Sequence, residues 1–251
     1  MTVLRSLLFN ALFFAWSMLM HLVSLPALLL PRRATMVLGR FWVRGLLRIL
    51  AAVCGLRHEV RGRENLPDGP CIIASKHQSA WDTLIWSQLL DDPSYVMKRE
   101  LLWVPLFGWF LAKVGVVAVD RTGGAPALRR LVRDAQAKLD QGRPLVIFPE
   151  GTRTEPGRQR PYQPGVAALY VQLGVPVVPV ALNSGLFWGR RSFHKHPGRI
   201  VLEFLPPIPP GLPRKAFLAE LHDRIETASE RLCREPSPLP DTPGNKARTT
   251  A

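Results

Sequence analysis

The first thirty residues contain an unbroken apolar run, which limits what the chain can fold into. From Leu7 to Leu30 there are 24 consecutive residues without Asp, Glu, Lys or Arg. As a helix rising about 1.5 Å per residue, this run would be roughly 36 Å long, enough to cross a hydrocarbon core of about 30 Å. A cleaved signal peptide has a shorter apolar core and a small-residue cleavage site, whereas Pro31-Arg32-Arg33 follows here. We therefore predict a membrane-embedded apolar helix over about residues 5–30.

A basic stripe follows the apolar run. Arg40, Arg44 and Arg48 recur every four residues among apolar neighbours, so they share one face of a helix. Such a helix suits the lipid interface, where each arginine gains roughly 1 kcal/mol from anionic lipid. The alternative is the solvated face of an ordinary globular helix. We predict a basic amphipathic helix over about residues 34–55, within a membrane-anchoring region over 1–57.

Charge is distributed unevenly along the chain. The 251 residues are 47% hydrophobic with a net charge of +14, which excludes a disordered chain. No Asp or Glu precedes Glu59, whereas seven arginines do. The arginines that follow the apolar run predict that the rest of the chain lies on the cytoplasmic face of the cell inner membrane, with phospholipid as a partner, if the run spans. A helical hairpin that enters only one leaflet would have the same residues, and it stays an open alternative.

Cofactor and metal signatures are missing from the sequence. Cys54, Cys71 and Cys233 are odd in number and irregularly spaced, so they indicate neither a disulfide framework nor a metal site, and a reducing compartment fits them better. The sequence has no glycine-rich nucleotide loop and no serine nucleophile motif. We therefore predict no metal and no covalent serine or cysteine mechanism.

From about residue 58, short β-rich runs alternate with longer helical patterns, which predicts an α/β domain over residues 58–233. The predicted strands are 71–75, 116–119, 145–148, 177–182 and 200–205. The predicted helices are 80–90, 125–140, 164–173 and 214–233. Residues 234–251 are polar, contain four prolines and lack periodicity, so we predict a disordered tail there.

A histidine and an aspartate stand where the first predicted strand runs into a helix. Ser79 and Asp82 have the spacing of a capping box, so the helix begins near Ala80 and His77 lies in the loop before it. A bend at Ser79 can bring the His77 and Asp82 side chains together, whereas one continuous helix would turn them about 140° apart. His77 is then a candidate general base beside an orienting carboxylate. A capping aspartate next to a surface histidine is the alternative.

Two further predicted strands end in charged loops. The strand 145–148 runs into the segment 149–153, where Gly151 permits close backbone approach to a ligand and Arg153 offers a planar fork suited to phosphate. The strand 116–119 runs into Arg121, which with its neighbouring aspartate fits a surface salt bridge equally well. Each loop by itself is weak support for a site.

Together and in this order, these segments resemble the glycerolipid acyltransferase family, in particular the 1-acyl-sn-glycerol-3-phosphate acyltransferases. The resemblance covers about residues 58–210 and rests on four blocks in the family's order and spacing. The blocks are His77-Gln78-Ser79-Ala80-Trp81-Asp82, Lys98-Arg99-Glu100-Leu101 through to Val119-Asp120-Arg121, Phe148-Pro149-Glu150-Gly151-Thr152-Arg153, and Val175-Pro176-Val177-Val178-Pro179-Val180. One departure is Lys76, where many members of the family have Asn, and we expect it to bear on acceptor preference.

The resemblance implies a mixed sheet flanked by helices and a direct acyl transfer. His77 would deprotonate the acceptor hydroxyl, Asp82 would support the imidazolium, and the alkoxide would attack an acyl thioester without an acyl-enzyme. The donor would be acyl-CoA or acyl carrier protein, with no further cofactor, and the acceptor lysophosphatidic acid, giving phosphatidic acid. Residues 177–180 would help line the acyl-chain region. The residues that the resemblance assigns to the glycerol phosphate are Lys98, Arg121, Glu150, Gly151, Thr152 and Arg153.

Three alternatives remain beside this interpretation. The same chemistry on another acceptor, such as a lyso-ornithine lipid or a lysophospholipid, would use the same motifs. A net charge of +14 also fits a nucleic-acid-binding protein, but the densest charge flanks an apolar run and no nucleic-acid-reading motif is present, so we predict no nucleic-acid partner. The third alternative is a non-catalytic membrane-bound interaction protein.

Overall fold

The fold was obtained as a computed structural model that describes residues 1–235. Within these residues the chain forms seven helices and seven strands. The helices are α1 (Thr2–Val23), α2 (Arg32–Cys54), α3 (Trp81–Leu89), α4 (Phe107–Val114), α5 (Gly124–Leu139), α6 (Pro164–Leu173) and α7 (Arg214–Arg234). The strands are β1 (Leu56–Arg61), β2 (Ile72–Ser75), β3 (Ser94–Lys98), β4 (Val117–Val119), β5 (Leu145–Ile147), β6 (Val177–Leu182) and β7 (Gly198–Phe204).

All seven strands join one mixed sheet in the order β1-β7-β6-β2-β5-β3-β4. The strands from β6 to β4 run parallel to one another, while β7 pairs antiparallel with β6 and parallel with β1. The central strands β2, β5 and β6 are buried along their whole length. Continuous apolar strands of this kind are typical of a parallel sheet covered on both faces. The expected mixed sheet flanked by helices is confirmed.

Helices cover the two faces of the sheet. On β2, Ile73 faces a core that contains Trp86 of α3, whereas Ile72 faces a second core with Leu131 of α5 and Phe217 of α7. This division follows from the two-residue period of a strand, which points successive side chains to opposite faces. The α/β domain is therefore a three-layer structure with β2 at its centre.

The predicted apolar helix over 5–30 is divided in the structure. α1 ends at Val23, a 3₁₀ turn covers Leu25–Leu28, and α2 begins at Arg32. Pro26 stands in the first turn of the 3₁₀ segment, where its missing N–H interrupts helical hydrogen bonding. α1 alone is still long and apolar enough to cross a membrane. Together α1 and α2 form a helical hairpin.

The hairpin packs closely because of one glycine and two tryptophans. The Trp16 indole N–H donates to the carbonyl of Trp42 at 2.9 Å. A Cβ on Gly45 would lie 2.5 Å from the Trp16 ring, so only glycine permits this approach. In the basic stripe, Arg44 and Arg48 are exposed, whereas Arg40 donates to the Leu90 carbonyl at 3.0 Å. One arginine of the stripe thus attaches the hairpin to the α/β domain.

Three elements are absent from the sequence-based predictions. β1, β3 and α4 are found only in the structure, whereas each predicted strand and helix of the α/β domain has a counterpart within two residues at either end. β1 begins at Leu56, two residues before the predicted domain boundary. α7 continues to Arg234, so it includes the first residue of the predicted tail. Residues 236–251, which hold the rest of that tail, lie outside the described residues.

Candidate active site

The charged loops meet at one edge of the sheet. β2, β5, β3 and β4 are adjacent and parallel, so the segments that follow them leave the sheet on the same side. Carboxyl ends of parallel strands are the usual ligand-binding edge of an α/β sheet. The segments that begin at residues 76, 98, 120 and 148 are therefore neighbours in space.

His77 and Asp82 are in contact at this edge. His77 Nδ1 lies 3.1 Å from Asp82 Oδ2, and the ring stacks on Phe148 with centroids 4.1 Å apart. Because the carboxylate accepts the proton of Nδ1–H, the other ring nitrogen, Nε2, is the basic one. Among the described residues no hydrogen bond to Nε2 is formed. The geometry expected of a general base is thus present, with the basic nitrogen left for a substrate hydroxyl.

Asp82 is held in one orientation by its own loop. Oδ2 accepts the backbone N–H groups of Gln78 at 2.6 Å and Ser79 at 2.8 Å. The Ser79 contact is the half of the predicted capping box in which the acid reaches back to the first residue of the turn. The side chain of Asp82 is 0% exposed. A buried carboxylate with several donors stays oriented, so Asp82 both caps α3 and orients His77.

Sequence reasoning misses two residues of the loop after β6. Ser184 donates from Oγ to Asp82 Oδ1 at 2.6 Å. Gly185 donates its backbone N–H to Gln78 Oε1 at 2.9 Å, which ties the same loop to the His77 loop. β6 lies beside β2 and runs parallel to it, so its carboxyl end reaches the same edge. The available signal was the polar pair Asn183-Ser184 directly after a predicted strand.

Glu150 faces inward instead of toward a ligand. Its side chain is 0% exposed, with Oε1 2.7 Å from Lys76 Nζ and Oε2 accepting the backbone N–H of His77 at 2.9 Å. A fully buried carboxylate cannot contact a bound phosphate, so the part of the resemblance that assigns Glu150 to the glycerol phosphate has no geometric support. Its contacts make Glu150 a support of the His77 loop.

Gly151 and Arg121, which the resemblance assigns to the glycerol phosphate, lie side by side. Gly151 has a φ of +70°, a left-handed conformation that favours glycine. A Cβ at this position would lie 2.9 Å from Gln163 Cγ and 3.6 Å from Arg121 Cζ. A side chain at position 151 would therefore crowd Gln163, while the Arg121 guanidinium, which comes from the loop after β4, lies beside the backbone of the segment 149–153.

Arg153 lies close enough to the histidine–aspartate pair to interact electrostatically with it. Burial lowers the pKa of Arg153 below its ordinary value, the Asp82 carboxylate raises it, and Arg190 lowers it further. The charges of both the Asp82 carboxylate and the Arg190 guanidinium therefore act on Arg153. Arg190 belongs to the loop after β6 and is a further basic residue of the site that sequence reasoning misses.

Lys98 and Thr152 are less closely engaged. Lys98 is exposed at the carboxyl end of β3, where it is in register with Val119 of β4. Adjacent strands are about 4.8 Å apart, so β3 lies about 10 Å from β2 across β5. Thr152 is partly exposed, and its carbonyl accepts the Thr154 hydroxyl at 3.5 Å. Both residues lie at the same edge of the sheet as His77, but neither contacts it directly.

An apolar cavity of about 180 Å³ lies between the hairpin and the α/β domain. Its walls come from α1, α2, α3, α4 and the strand β3, and among them are His21, Gly39, Trp42, Leu84, Tyr95 and Phe110. The resemblance implied that residues 177–180 help line the acyl-chain region, and they do not line this cavity. Those residues form the fully buried central strand β6 and do not contribute to this cavity.

Lys76 also differs from expectation. Its side chain is 2% exposed and contacts Glu150 and Glu226, so it does not point into the edge where the acceptor would bind. Direct selection of the acceptor by Lys76 is therefore excluded by burial.

A histidine oriented by a buried carboxylate, with arginines at the same edge of an α/β sheet, is an arrangement suited to activating a hydroxyl group beside an anion. A family model described as Acyltransferase matches residues 57–183. The chain belongs to this acyltransferase family, and it is an acyl-transferring enzyme.

Individual relatives agree with the family assignment. A 1-acyl-sn-glycerol-3-phosphate acyltransferase from Pseudomonas aeruginosa is 38% identical over 238 residues, which are 95% of this chain and 92% of that protein. The 1-acyl-sn-glycerol-3-phosphate acyltransferase alpha of Ovis aries is 33% identical over 184 residues, 72% of this chain and 64% of that protein. The solved structure of the 1-acyl-sn-glycerophosphate acyltransferase PlsC from Thermotoga maritima has a TM-score of 0.78 at 22% identity and covers 94% of this chain and 100% of that chain. The last likeness shows the fold.

Proposed function

We propose that this enzyme transfers a fatty acyl group from an acyl thioester to the sn-2 hydroxyl of 1-acyl-sn-glycerol-3-phosphate and forms phosphatidic acid. The observation that carries the proposal is the 3.1 Å contact between His77 Nδ1 and Asp82 Oδ2 with Nε2 left free. The relatives from P. aeruginosa and O. aries are named for the same acceptor. The donor is acyl-CoA or acyl carrier protein, whose anionic carriers suit a basic surface.

The reaction proceeds by direct attack. His77 Nε2 accepts the proton of the acceptor hydroxyl, the oxygen attacks the thioester carbonyl, and the C–S bond breaks as the ester forms. The imidazolium then returns its proton to the leaving thiolate. General-base assistance of this kind contributes about 10²- to 10⁴-fold. In the described part of the chain, the side chain that hydrogen-bonds to the His77 ring is that of Asp82.

The basic residues at the edge suit the phosphate of the acceptor. Arg153 belongs to the segment 149–153, the Arg121 guanidinium lies beside Gly151 of the same segment, and Lys98 extends from a strand about 10 Å away from β2. Guanidinium groups bind phosphate oxygens in pairs, which fixes the glycerol backbone as well as the charge. We expect Arg153 to matter most because the Asp82 carboxylate, the partner of His77, acts on its charge.

The apolar cavity suits an acyl chain. It lies against α3, the helix that carries Asp82, with Leu84 on its wall. Its lining is mostly apolar, so burying methylene groups there is favourable by about 0.8 kcal/mol for each CH₂. The cavity therefore reaches Thr83 and Leu84, which directly follow Asp82 on the same short helix.

We also propose that the hairpin enters one leaflet of the inner membrane from the cytoplasmic side. Near the start of α1, Asn10 Oδ1 accepts from Lys195 Nζ at 2.9 Å, and near its end the His21 ring lies 5.4 Å from Phe110. These contacts are 11 residues apart, so α1 follows the α/β domain over about 16 Å. A helix crossing a core of about 30 Å would leave that domain at one end. Trp103, just before α4, and Trp109, on α4, are 68% and 55% exposed and are candidate interfacial anchors.

An acceptor panel tests the catalytic proposal. Purified protein in detergent micelles is given lysophosphatidic acid, a lyso-ornithine lipid or a lysophospholipid with acyl-CoA or acyl carrier protein, and free thiol is measured. We expect lysophosphatidic acid to have the highest kcat/KM and His77→Ala to lose activity, with His194→Ala, an exposed histidine, as the control. Equal thiol release by wild type and His77→Ala would contradict the mechanism. A preference for another acceptor would contradict the substrate assignment alone.

Labelling tests the membrane proposal. Thr2→Cys in a Cys233→Ser background is treated with a membrane-impermeant maleimide, since Cys54 and Cys71 are buried. We expect labelling in inverted inner-membrane vesicles and none in intact spheroplasts. Labelling of intact spheroplasts would show that α1 crosses the membrane.

A further inference from the structure

A buried cluster of charges lies on the inner side of the His77 loop. Lys76 Nζ is 2.7 Å from Glu150 Oε1 and 2.7 Å from Glu226 Oε2, and the lysine side chain is 2% exposed. Tyr162 donates its hydroxyl to Glu226 Oε1 at 3.0 Å. One ammonium group thus joins two carboxylates that come from distant parts of the chain.

The cluster connects the last helix to the general base. Glu226 belongs to α7, and Lys76 is the residue immediately before His77. Glu150 accepts from Lys76 with one oxygen and from the His77 backbone N–H with the other, at 2.9 Å. His77 in turn accepts at its carbonyl from the Thr154 N–H at 2.7 Å. The backbone of the catalytic histidine is therefore held on both sides by contacts that depend on this cluster and the loop containing Glu150.

The Lys76 amino group is the one that contacts both buried carboxylates. Burial raises the pKa of Glu150, while the charge and the hydrogen bond of Lys76 lower it, and the nearby Glu226 raises it again. Without the ammonium group, two carboxylates would face each other away from water, and one would take up a proton or turn away. Apolar side chains of similar volume fill such a space at least as stably as a buried ion pair does. Beyond any stability, the cluster fixes the orientation of the side chains and of the His77 backbone, since each hydrogen bond allows one geometry.

We propose that Lys76, Glu150 and Glu226 form a positioning relay through which α7 sets the position of His77. The three residues do not touch substrate, and they act through the His77 backbone. Their loss should therefore lower kcat and leave acceptor binding nearly unchanged. The inference rests on the proposed role of His77 as the general base.

Paired variants test the relay. Lys76→Met removes the donor, whereas Lys76→Gln keeps an amide that can donate to Glu150. Glu226→Leu and Glu226→Gln form the same pair on α7. A displacement of about 1 Å can cost on the order of 100-fold in rate, so we expect kcat to fall by about 10- to 100-fold in Lys76→Met and Glu226→Leu. The KM for lysophosphatidic acid should stay within about two-fold, because binding in the ground state is not affected. Both Gln variants should recover part of the rate.

A matched control separates positioning from stability. Arg143→Met removes another buried cation, which donates to the Val114 carbonyl at 2.9 Å away from the catalytic edge. Thermal unfolding is measured for every variant, and kcat is divided by the folded fraction. We expect Arg143→Met to lower the unfolding temperature without lowering the corrected kcat.

Three results would overturn the relay. Corrected kcat in Glu226→Leu and Lys76→Met equal to that of wild type would show a structural role only. A rise in KM without a fall in kcat would place the cluster in acceptor binding. If Lys76→Gln and Glu226→Gln were as slow as Lys76→Met and Glu226→Leu, the effect would not depend on hydrogen bonding. If Lys76→Met does not fold, the comparison of Glu226→Leu with Glu226→Gln tests the relay instead. Full activity in His77→Ala would instead overturn the proposed function, so the two failures are distinct.

Discussion

Ser184 Oγ donates a hydrogen bond to Asp82 Oδ1 across 2.6 Å. This contact joins the loop after β6 to the first turn of α3, although the two residues are 102 positions apart in the chain. With it, both carboxylate oxygens of Asp82 accept hydrogen bonds, and Oδ2 is the one that faces His77. Ser184 therefore prevents the carboxylate from rotating away from the imidazole.

Replacement of Ser184 tests this restraint. A hydrogen bond to a charged group contributes about 1.5–3 kcal/mol, so Ser184→Ala should lower kcat by about 10-fold or more without changing the acceptor KM. The measurement is thiol release at saturating acceptor. Ser192→Ala, which removes an exposed hydroxyl bonded only to its own loop, is the control. Wild-type kcat in folded Ser184→Ala would contradict the restraint.

Asp82→Asn should be far more damaging. The carboxylate accepts four donors, from His77, Gln78, Ser79 and Ser184, whereas an amide has a single acceptor oxygen and presents N–H groups to the remaining donors. We expect kcat to fall by about 10²- to 10⁴-fold, the range of general-base assistance. Because the amide also weakens the cap of α3, thermal unfolding must be measured in parallel. Residual activity above one tenth of wild type would argue against Asp82 as the partner of His77.

Arg153 should determine affinity for the phosphate. Arg153→Ala removes charge-assisted hydrogen bonds of about 1.5–3 kcal/mol each, so KM for lysophosphatidic acid should rise by about 10- to 100-fold. Arg153→Lys should recover only part, because an ammonium group cannot form the paired contact. Arg130→Ala on α5, an exposed arginine, is the control. An unchanged KM in Arg153→Ala would show that Arg153 does not bind the acceptor phosphate.

Gly39 offers a test of the acyl-chain cavity. It lies on α2 at the cavity wall, and a Cβ there would meet no atom within 4 Å. Gly39→Leu should therefore fill part of the cavity and shift preference toward shorter acyl chains, while the loss of a helical glycine adds up to about 1 kcal/mol of stability. The measurement is kcat/KM across acyl-CoA chain lengths. Gly45→Ala, where the new Cβ would collide with Trp16, should destabilise the hairpin instead.

Unchanged chain-length preference in a folded Gly39→Leu variant would show that the cavity does not hold the acyl chain. Gly39→Ala provides a graded intermediate, since it adds one methyl group to the same wall. A smooth change from Gly through Ala to Leu is the expected pattern.

The ion pair between Arg32 of the hairpin and Asp92 of the α/β domain should weaken at acid pH. Burial raises the pKa of Asp92, but the hydrogen bond from Arg32 and the charges of Arg143 and Arg32 outweigh it, so the pKa is lowered overall. Because the pKa of Asp92 is lower in the folded protein than its value of about 3.9 in the unfolded chain, the ionised carboxylate stabilises the fold at pH values above about 3.9. This stabilisation is lost as the pH falls through the folded-state pKa. Asp92→Asn should therefore lower the unfolding temperature at pH 7, and the difference from wild type should shrink at about pH 3. A difference that is constant with pH would contradict this account.

Local chemistry explains which parts of the site were predictable. The bend that brings His77 to Asp82 follows from Ser79 and Asp82, three residues apart, so the pair could be predicted from the sequence. The helix α6 was equally clear, since Pro164 stands at its first turn and Gly174 directly after its end. In contrast, α4 and the 3₁₀ turn before it are rich in Trp and Phe, and their apolar residues gave no helical period that stood out from the surrounding run.

The inward orientation of Glu150 could not be predicted from its motif. A carboxylate beside Gly151 and Arg153 is equally compatible with a ligand contact and with a buried ion pair. Only Lys76 and Glu226, which are 150 residues apart and meet at 2.7 Å, decide between these roles. The same holds for the cavity, whose walls come from four helices and a strand.

The sequence by itself determined the apolar and basic character of the N-terminal region, the α/β alternation, and the pairing of His77 with Asp82. These depend on hydrophobic periodicity and on hydrogen bonds between near neighbours, which short segments encode. Tertiary structure alone decided that Ser184 restrains Asp82, that Lys76 faces Glu226, and that α1 contacts the α/β domain near both of its ends. These contacts depend on the strand order and on helix packing, which bring together residues that no local pattern relates.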